Sequence, residues 1–235
     1  IVAAAEEEGS RLDAAFARAR GAVAPLFTAG AALGFAREMV GVRREIEGLE
    51  ISFRTLLGSQ QEADALFGRL RDFAARTPMA LGDLAKGAQT MLGFGVASRD
   101  VAPLLEAIGD ISMGDSAKFQ ALALAFSQAS ASGRLMGQDL MQMINAGFNP
   151  LAQISERTGR SVGELKEEMA RGAIGADALR GAFLGAAAAG GRYHGMLEAQ
   201  ARGLGGSIAQ LEGAWQEMLN AAGEAAGGAV AGAAR

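Results

Sequence analysis

Apolar residues recur at helical spacing through most of this chain, and no stretch sustains the apolar–polar alternation of a strand. The first clear stripe, Val42, Ile46, Leu49, Phe53 and Leu56, steps by four and three. It predicts a helix over about 38–57, with Arg43, Arg44, Glu45, Glu47 and Glu50 off the stripe. Gly58 stops it, and Ser59 stands three residues before Glu62, the spacing of a capping box. A second helix follows with Leu66, Phe67, Leu70, Phe73 and Ala74 on one face. It closes at Thr77-Pro78, because the residue before proline avoids helical geometry. A third helix over about 81–92 turns Leu84, Ala88 and Met91 inward and breaks at Gly93 and Gly95. Asp100 reads as the cap of a fourth, with Pro103 in its first turn and Val101, Leu104, Leu105, Ile108 and Ile111 as its core face.

Shorter helices follow. Phe119, Leu122, Phe126 and Ala129 form the face of one that Gly133 closes. Leu140, Met143 and Ile144 mark the next, ending at Gly147, and Asn149-Pro150 turns the chain. Leu151 and Ile154 belong to a helix closed by Gly159. Ser161 and Glu164 repeat the capping-box spacing ahead of Val162, Leu165 and Met169, and Gly172 ends that segment. Residues 176–189 carry Leu179, Phe183 and Ala187 on one face before Gly190-Gly191. A last helix over about 203–220 returns to the four-three spacing with Leu204, Ile208, Leu211, Trp215 and Met218. The two outer stripes span little more than two heptads each, so packing on the same domain is expected rather than coiled-coil pairing. No period of 20 to 50 residues recurs, which argues against a solenoid.

The expectation is an all-α fold: a compact cluster of about nine to ten helices with short glycine-rich connections, flanked by longer amphipathic helices. It divides into an Ala/Gly-rich entry segment over 1–36, irregular or loosely helical, a helical domain over 37–220, and an Ala/Gly-rich linker or tail over 221–235. Half of the 235 residues are hydrophobic but only 6% are aromatic, so the core rests on Ala, Leu, Met and a few Phe. The ten methionines read as gap-filling core.

Composition removes much chemistry. A net charge of −4 gives no basic footprint, so direct nucleic-acid binding is not expected. With no cysteine and one histidine, His194, thiolate metal sites, disulfides and Ser-His-Asp catalysis have almost nothing to work with. His194 sits in a glycine-bounded turn and reads as a surface residue. Residues 93–98 faintly echo a phosphate loop, but no strand precedes them and the lysine is missing, leaving a helix–helix connection. Asp110 and Asp115 lack calcium-loop spacing and read as turn and cap residues. Glu164, Glu167 and Glu168 suit a solvated helix face. The longest uncharged run, 21–36, falls short of the ~20 apolar residues of a spanning helix. It holds Pro25, Thr28 and three glycines, so membrane contact is not expected either. Glu6, Glu7 and Glu8 take the place of a basic leader, and no signal peptide is expected. No catalytic, cofactor or metal residue emerges.

The most specific stretch is GRLMGQDLMQMINAGFNP, residues 133–150. Gly133 and Gly147 stand at helix ends, where left-handed geometry is cheap only for glycine. Asp139 is placed to favour the start of a short helix, and Asn145 and Asn149 form turns about Gly147. Arg134 and Gln138 are polar groups beside the aliphatic Leu135. Gly137, Phe148 and Pro150 complete the corner.

Together with LLGSQQEADALFGRLRDFAARTP (56–78), LGFG (92–95), SVGELKEEMARGAI (161–174) and GGRYHGMLEAQ (190–200), this stretch resembles phage or prophage tail tape measure proteins. The order and spacing of these pieces match from about residue 30 to 220, although Ala and Gly are unusually abundant. The resemblance implies a structural, non-enzymatic part of a protein whose helical length sets the tail tube length. It also implies a place in the tail lumen or tail tip of the virion, and in host cytoplasm during assembly. The implied partners are tail tube and tail tip proteins, tail assembly chaperones and further copies of itself, with a trimer as one assembly. Short helices joined by glycines make a node rather than a ruler, so the candidate docking motif is Gly133, Arg134, Leu135, Gly137, Gln138, Asp139, Asn145, Gly147, Phe148, Asn149 and Pro150. The alternative class is a membrane-active or cell-wall-degrading segment used during genome ejection.

Overall fold

The computed structural model describes residues 29–203 and 211–221. All regular structure among them is helical. The order is α1 (Ala29–Leu57), α2 (Gln60–Arg76), α3 (Leu81–Gly93), α4 (Ser98–Ser112), α5 (Ser116–Ala131), α6 (Gly137–Asn145), α7 (Pro150–Thr158), α8 (Val162–Ala170), α9 (Ala176–Ala187) and α10 (Met196–Ala201), then helical backbone over 211–221. The chain is all-α, as its periodicity requires.

It divides into two compact units, one of residues 45–218 and one of residues 1–44 with 219–235. In the second, the described residues are 29–44 and 219–221, and the Arg43 guanidinium donates to the Asn220 side-chain carbonyl at 3.4 Å. Most of the expected entry segment and tail, and positions 204 and 208 of the last stripe, lie outside the described residues. Helix α1 begins at Ala29, earlier than the stripe alone indicates.

The larger unit is organised on α4. Nine of its fifteen residues are buried, so it meets neighbours all round: α2, α3, α5, α9 and α10. The α4 face expected from the sequence, Val101, Leu104, Leu105, Ile108 and Ile111, is fully enclosed. So are Leu84, Ala88 and Met91 of α3 and Phe119, Leu122, Phe126 and Ala129 of α5. Ile46, Leu49 and Phe53 close one side, the Phe53 ring meeting Phe67 edge-on at 6.1 Å.

Several caps form where expected. Ser59 accepts from the Glu62 N–H at 3.3 Å, and Asp115 from that of Lys118 at 3.0 Å. Ser161 and Glu164 make a full capping box. Each satisfies a first-turn donor that helical geometry leaves unpaired.

Other expectations are corrected. Asp100 does not cap α4, which starts at Ser98; it lies in the first turn and pairs with Arg180 of α9 at 3.2 Å. Pro103 is therefore inside the helix rather than at its entrance. Leu56 and Ile144 are exposed although each sits on its apolar stripe, because neighbouring helices cover only part of that face. Leu211 (71% exposed), Trp215 (45%) and Met218 (45%) likewise face outward, so the described part of the last stripe is not a core face. Methionine is mixed: Met79, Met91 and Met143 are buried, whereas Met113, Met136, Met141 and Met218 are exposed. Helix α10 forms between the helices expected over 176–189 and 203–220, where none was expected. Asp110, expected in a turn, lies within α4 and accepts the Leu197 N–H of α10 at 2.9 Å. A Cβ on Gly109 would stand 2.6 Å from a Leu197 methyl, so glycine is what allows α10 to approach α4.

Candidate functional site: the corner at residues 133–150

Helix α5 runs out at Ala131, and Gly133 takes a left-handed φ of 71° in open space; the backbone, not crowding, selects glycine. The chain then makes one strand-like contact. Arg134 pairs antiparallel with Gly175, and the Leu135 N–H donates to the Ile174 carbonyl at 2.8 Å. The Arg134 side chain lies along Gly172, where a Cβ would come within 3.1 Å of its guanidinium. This pairing fastens the start of the corner to the segment entering α9.

Leu135 is buried, and the Asp139 carboxylate accepts the Met136 N–H at 3.1 Å at the head of α6. Asp139 thus supports the helix start as its position suggested, placing negative charge at the positive end of the helix dipole. Gly137 opens α6 and Gln138 follows on the surface. Leu140 and Met143 turn inward, while Met136, Met141 and Ile144 are 47%, 54% and 38% exposed.

The far end closes by a double backbone hook. The Gly147 N–H donates to Ile144 at 2.9 Å and the Phe148 N–H to Met143 at 2.9 Å, with Gly147 at φ 94°. This is a Schellman arrangement, and the buried Phe148 and Met143 supply its usual apolar pair. Asn145 lies exposed on the last turn. Asn149 then caps α7, accepting from Leu151 and Ala152 at 3.1 and 3.3 Å, with the buried Pro150 as first helical residue.

Aromatic rings hold the corner from below. Phe148 meets Phe183 at 4.5 Å and Tyr193 at 6.2 Å, and Phe183 meets Phe126 edge-on at 5.3 Å. The Tyr193 hydroxyl donates to the Gly147 carbonyl at 3.4 Å. The motif residues therefore divide by role. Gly133, Leu135, Asp139, Gly147, Phe148, Asn149 and Pro150 build the corner, and Arg134, Gly137, Gln138 and Asn145 are exposed on it. Sequence reasoning missed the outward group Met136, Met141 and Ile144. Met141 lies off the line of Leu140 and Met143, whereas Ile144 shares their stripe, so spacing signalled only the outward position of Met141.

No group of three or more His, Cys, Asp or Glu side chains among the described residues could hold a metal ion. No described helix is long and apolar enough to cross a membrane. His194 is exposed, with its ring Nδ1 3.0 Å from the Ala187 carbonyl. Glu168 pairs with Arg160 at 2.6 Å, and the bonds Glu164 accepts from the Ser161 backbone and hydroxyl hold its carboxyl below the usual value.

The chain matches no curated protein and no solved structure. One family model, described as tape measure protein, matches residues 37–224. That span covers the larger compact unit, the corner and every quoted motif, so this chain belongs to the tape measure protein family and is a structural component of a phage tail.

Proposed function

We propose that residues 37–220 form an assembly node of a tape measure protein that sets tail tube length, and that the 133–150 corner docks on a tail tip or tail tube protein. The observation that carries the docking reading is the exposed group Met136, Met141 and Ile144 on a corner fixed from beneath by Phe148. Exposed apolar side chains on a braced element are the material of a contact surface, since water gains when they are covered. Tail assembly chaperones would cover the same side chains before the tube polymerises, and contacts between copies would add to them. Residues 1–36 and 221–235 serve as the connections on either side. The reading is non-enzymatic.

Tail length in electron micrographs tests the ruler. A helical insertion just after residue 220 of the full-length gene is expected to lengthen tails by about 1.5 Å per added residue. Tails of unchanged length would remove that part of the proposal. The docking part is tested separately by Met141→Glu, a change at an exposed position that leaves the fold intact. Few complete tails are expected, and normal tail numbers with a folded variant would sink it.

A further inference from the structure

A second concave feature lies apart from the corner. Between the end of α2, the middle of α4, the end of α9 and α10 is an open cleft of about 340 Å³. This is at the small end of the range for ligand sites, about 300–1,000 Å³. Phe73, Leu184 and Leu197 give it apolar walls, and Glu106, Asp110 and Glu198 bring three carboxylates to it. Arg76 and His194 are the basic groups on its lining.

The charges are unevenly used. Arg76 pairs with Glu106 at 3.1 Å and lies over the Phe73 ring at 5.6 Å, so it is already committed. Among the described residues, Glu198 is answered by the exposed Arg202 at 3.9 Å. Asp110 is half-buried and accepts the Leu197 N–H, and no arginine or lysine pairs with it among the described residues. Helices α2 and α9 both end at the cleft, through Thr77 and through Ala187 and Ala188, and the C-terminal end of a helix carries partial negative charge. The short α10 brings its positive N-terminal turn to the same cleft, where the Leu197 N–H is taken up by Asp110. Three carboxylates and two negative helix ends still outweigh it and Arg76, and the walls would accept methylene groups.

We propose that this cleft receives a basic side chain, lysine or arginine, presented by a partner polypeptide. Its aliphatic stem would lie on Phe73, Leu184 and Leu197 while the cationic head meets Asp110 between Glu106 and Glu198. Burial pushes the Asp110 carboxyl above its usual value, the cost that an incoming cation would relieve. The inference is independent of the corner: it uses none of residues 133–150.

The test is amide chemical-shift titration of the whole chain with a blocked pentapeptide bearing a central lysine among alanines. Its acetyl-lysine form and n-butylammonium are the comparison ligands. The lysine peptide is expected to move the amides of Gly195, Leu197 and Glu198 saturably, and the acetylated peptide to leave them in place. Asp110→Asn keeps a carbonyl for the Leu197 N–H, so the fold survives, and affinity should fall about tenfold. Glu106→Gln alters an exposed pair, releases the Arg76 charge into the cleft, and should weaken binding about threefold. Raising salt from about 0.05 to about 0.5 M should weaken it further. Equal shifts with the acetylated peptide, an unchanged affinity in both variants, or no saturable shift at ~20 mM lysine peptide would overturn the proposal. Binding of n-butylammonium as tight as that of the peptide would also overturn it, because the cleft would then be a small-amine site.

Discussion

Phe148→Ala tests whether the corner is braced from within. Phe148 is 1% exposed and its ring is shared between Phe183 and Tyr193. Truncating a buried phenylalanine to alanine costs about 3–5 kcal/mol in lost transfer energy and residual cavity. Part of that, about 0.5–1.5 kcal/mol, is the ring pair with Phe183 beyond simple burial. A protein of this kind has about 5–15 kcal/mol to lose, so the change removes a large share of its stability. With a urea slope of about 2 kcal/mol/M, the midpoint should fall by about 1.5–2.5 M. Helical circular dichroism against urea reads this directly, and an unchanged slope means that wild type and variant expose the same surface on unfolding. Phe148→Ala with Phe183→Ala should cost less than the sum of the two by about 0.5–1.5 kcal/mol, since the second truncation removes a contact already lost. A midpoint shift below about 0.5 M would refute the bracing, and strict additivity would refute the ring contact.

Three further outcomes follow from local geometry. Gly147→Ala forces a side chain into left-handed backbone at φ 94° and should cost about 1–2 kcal/mol in the same urea assay, a neutral result contradicting the hook at the end of α6. Ser161→Ala removes one half of the α8 capping box and should cost about 1 kcal/mol; a loss under a few tenths would mean that solvent caps the helix equally well. The pH dependence concerns Asp110, raised above 3.8 by desolvation, with the Leu197 and Gly195 amides and His194 opposing and Glu198 adding to the rise. Arg76 and Glu106 also line its cleft. Because the folded value is the higher one, its protonated form supports the fold below 3.8, and that support is lost as pH rises through the folded value. Asp110→Asn should lack this loss, so its melting temperature should gain on the wild type over that window; a constant difference at all pH values would refute the assignment.

Much of this architecture was legible because helical periodicity and cap chemistry act locally. Ser59, Asp115, Asn149 and Ser161 each cap the helix beside them, and Gly133 and Gly147 take the left-handed turns their positions call for. What escaped was non-local. Leu211, Trp215 and Met218 form as good a stripe as Ile46, Leu49 and Phe53, yet the first three are exposed and the last three buried; periodicity says that a face is apolar, not how deeply it is buried. Helix α10 is six residues between glycine turns, held by Asp110 from 87 positions earlier, so no local signal announced it. Asp100 looks like a cap but is drawn into an ion pair with Arg180, eighty residues on. The corner was readable as a turn, while its outward methionines were hidden among inward ones of the same type.

The hydrogen bond between Arg43 and Asn220 has a consequence for distance along a tail. Those residues are 177 positions apart in the chain yet 3.4 Å apart in space. Drawn out as straight helix, the same stretch would span about 265 Å at 1.5 Å per residue. Residue 220 thus brings the chain back to within a hydrogen bond of residue 43, and the contour of the residues between them adds almost nothing to the separation of those two points. On the proposed reading, residues added between 43 and 220 leave the length of the ruler unchanged, and residues added outside that pair extend it.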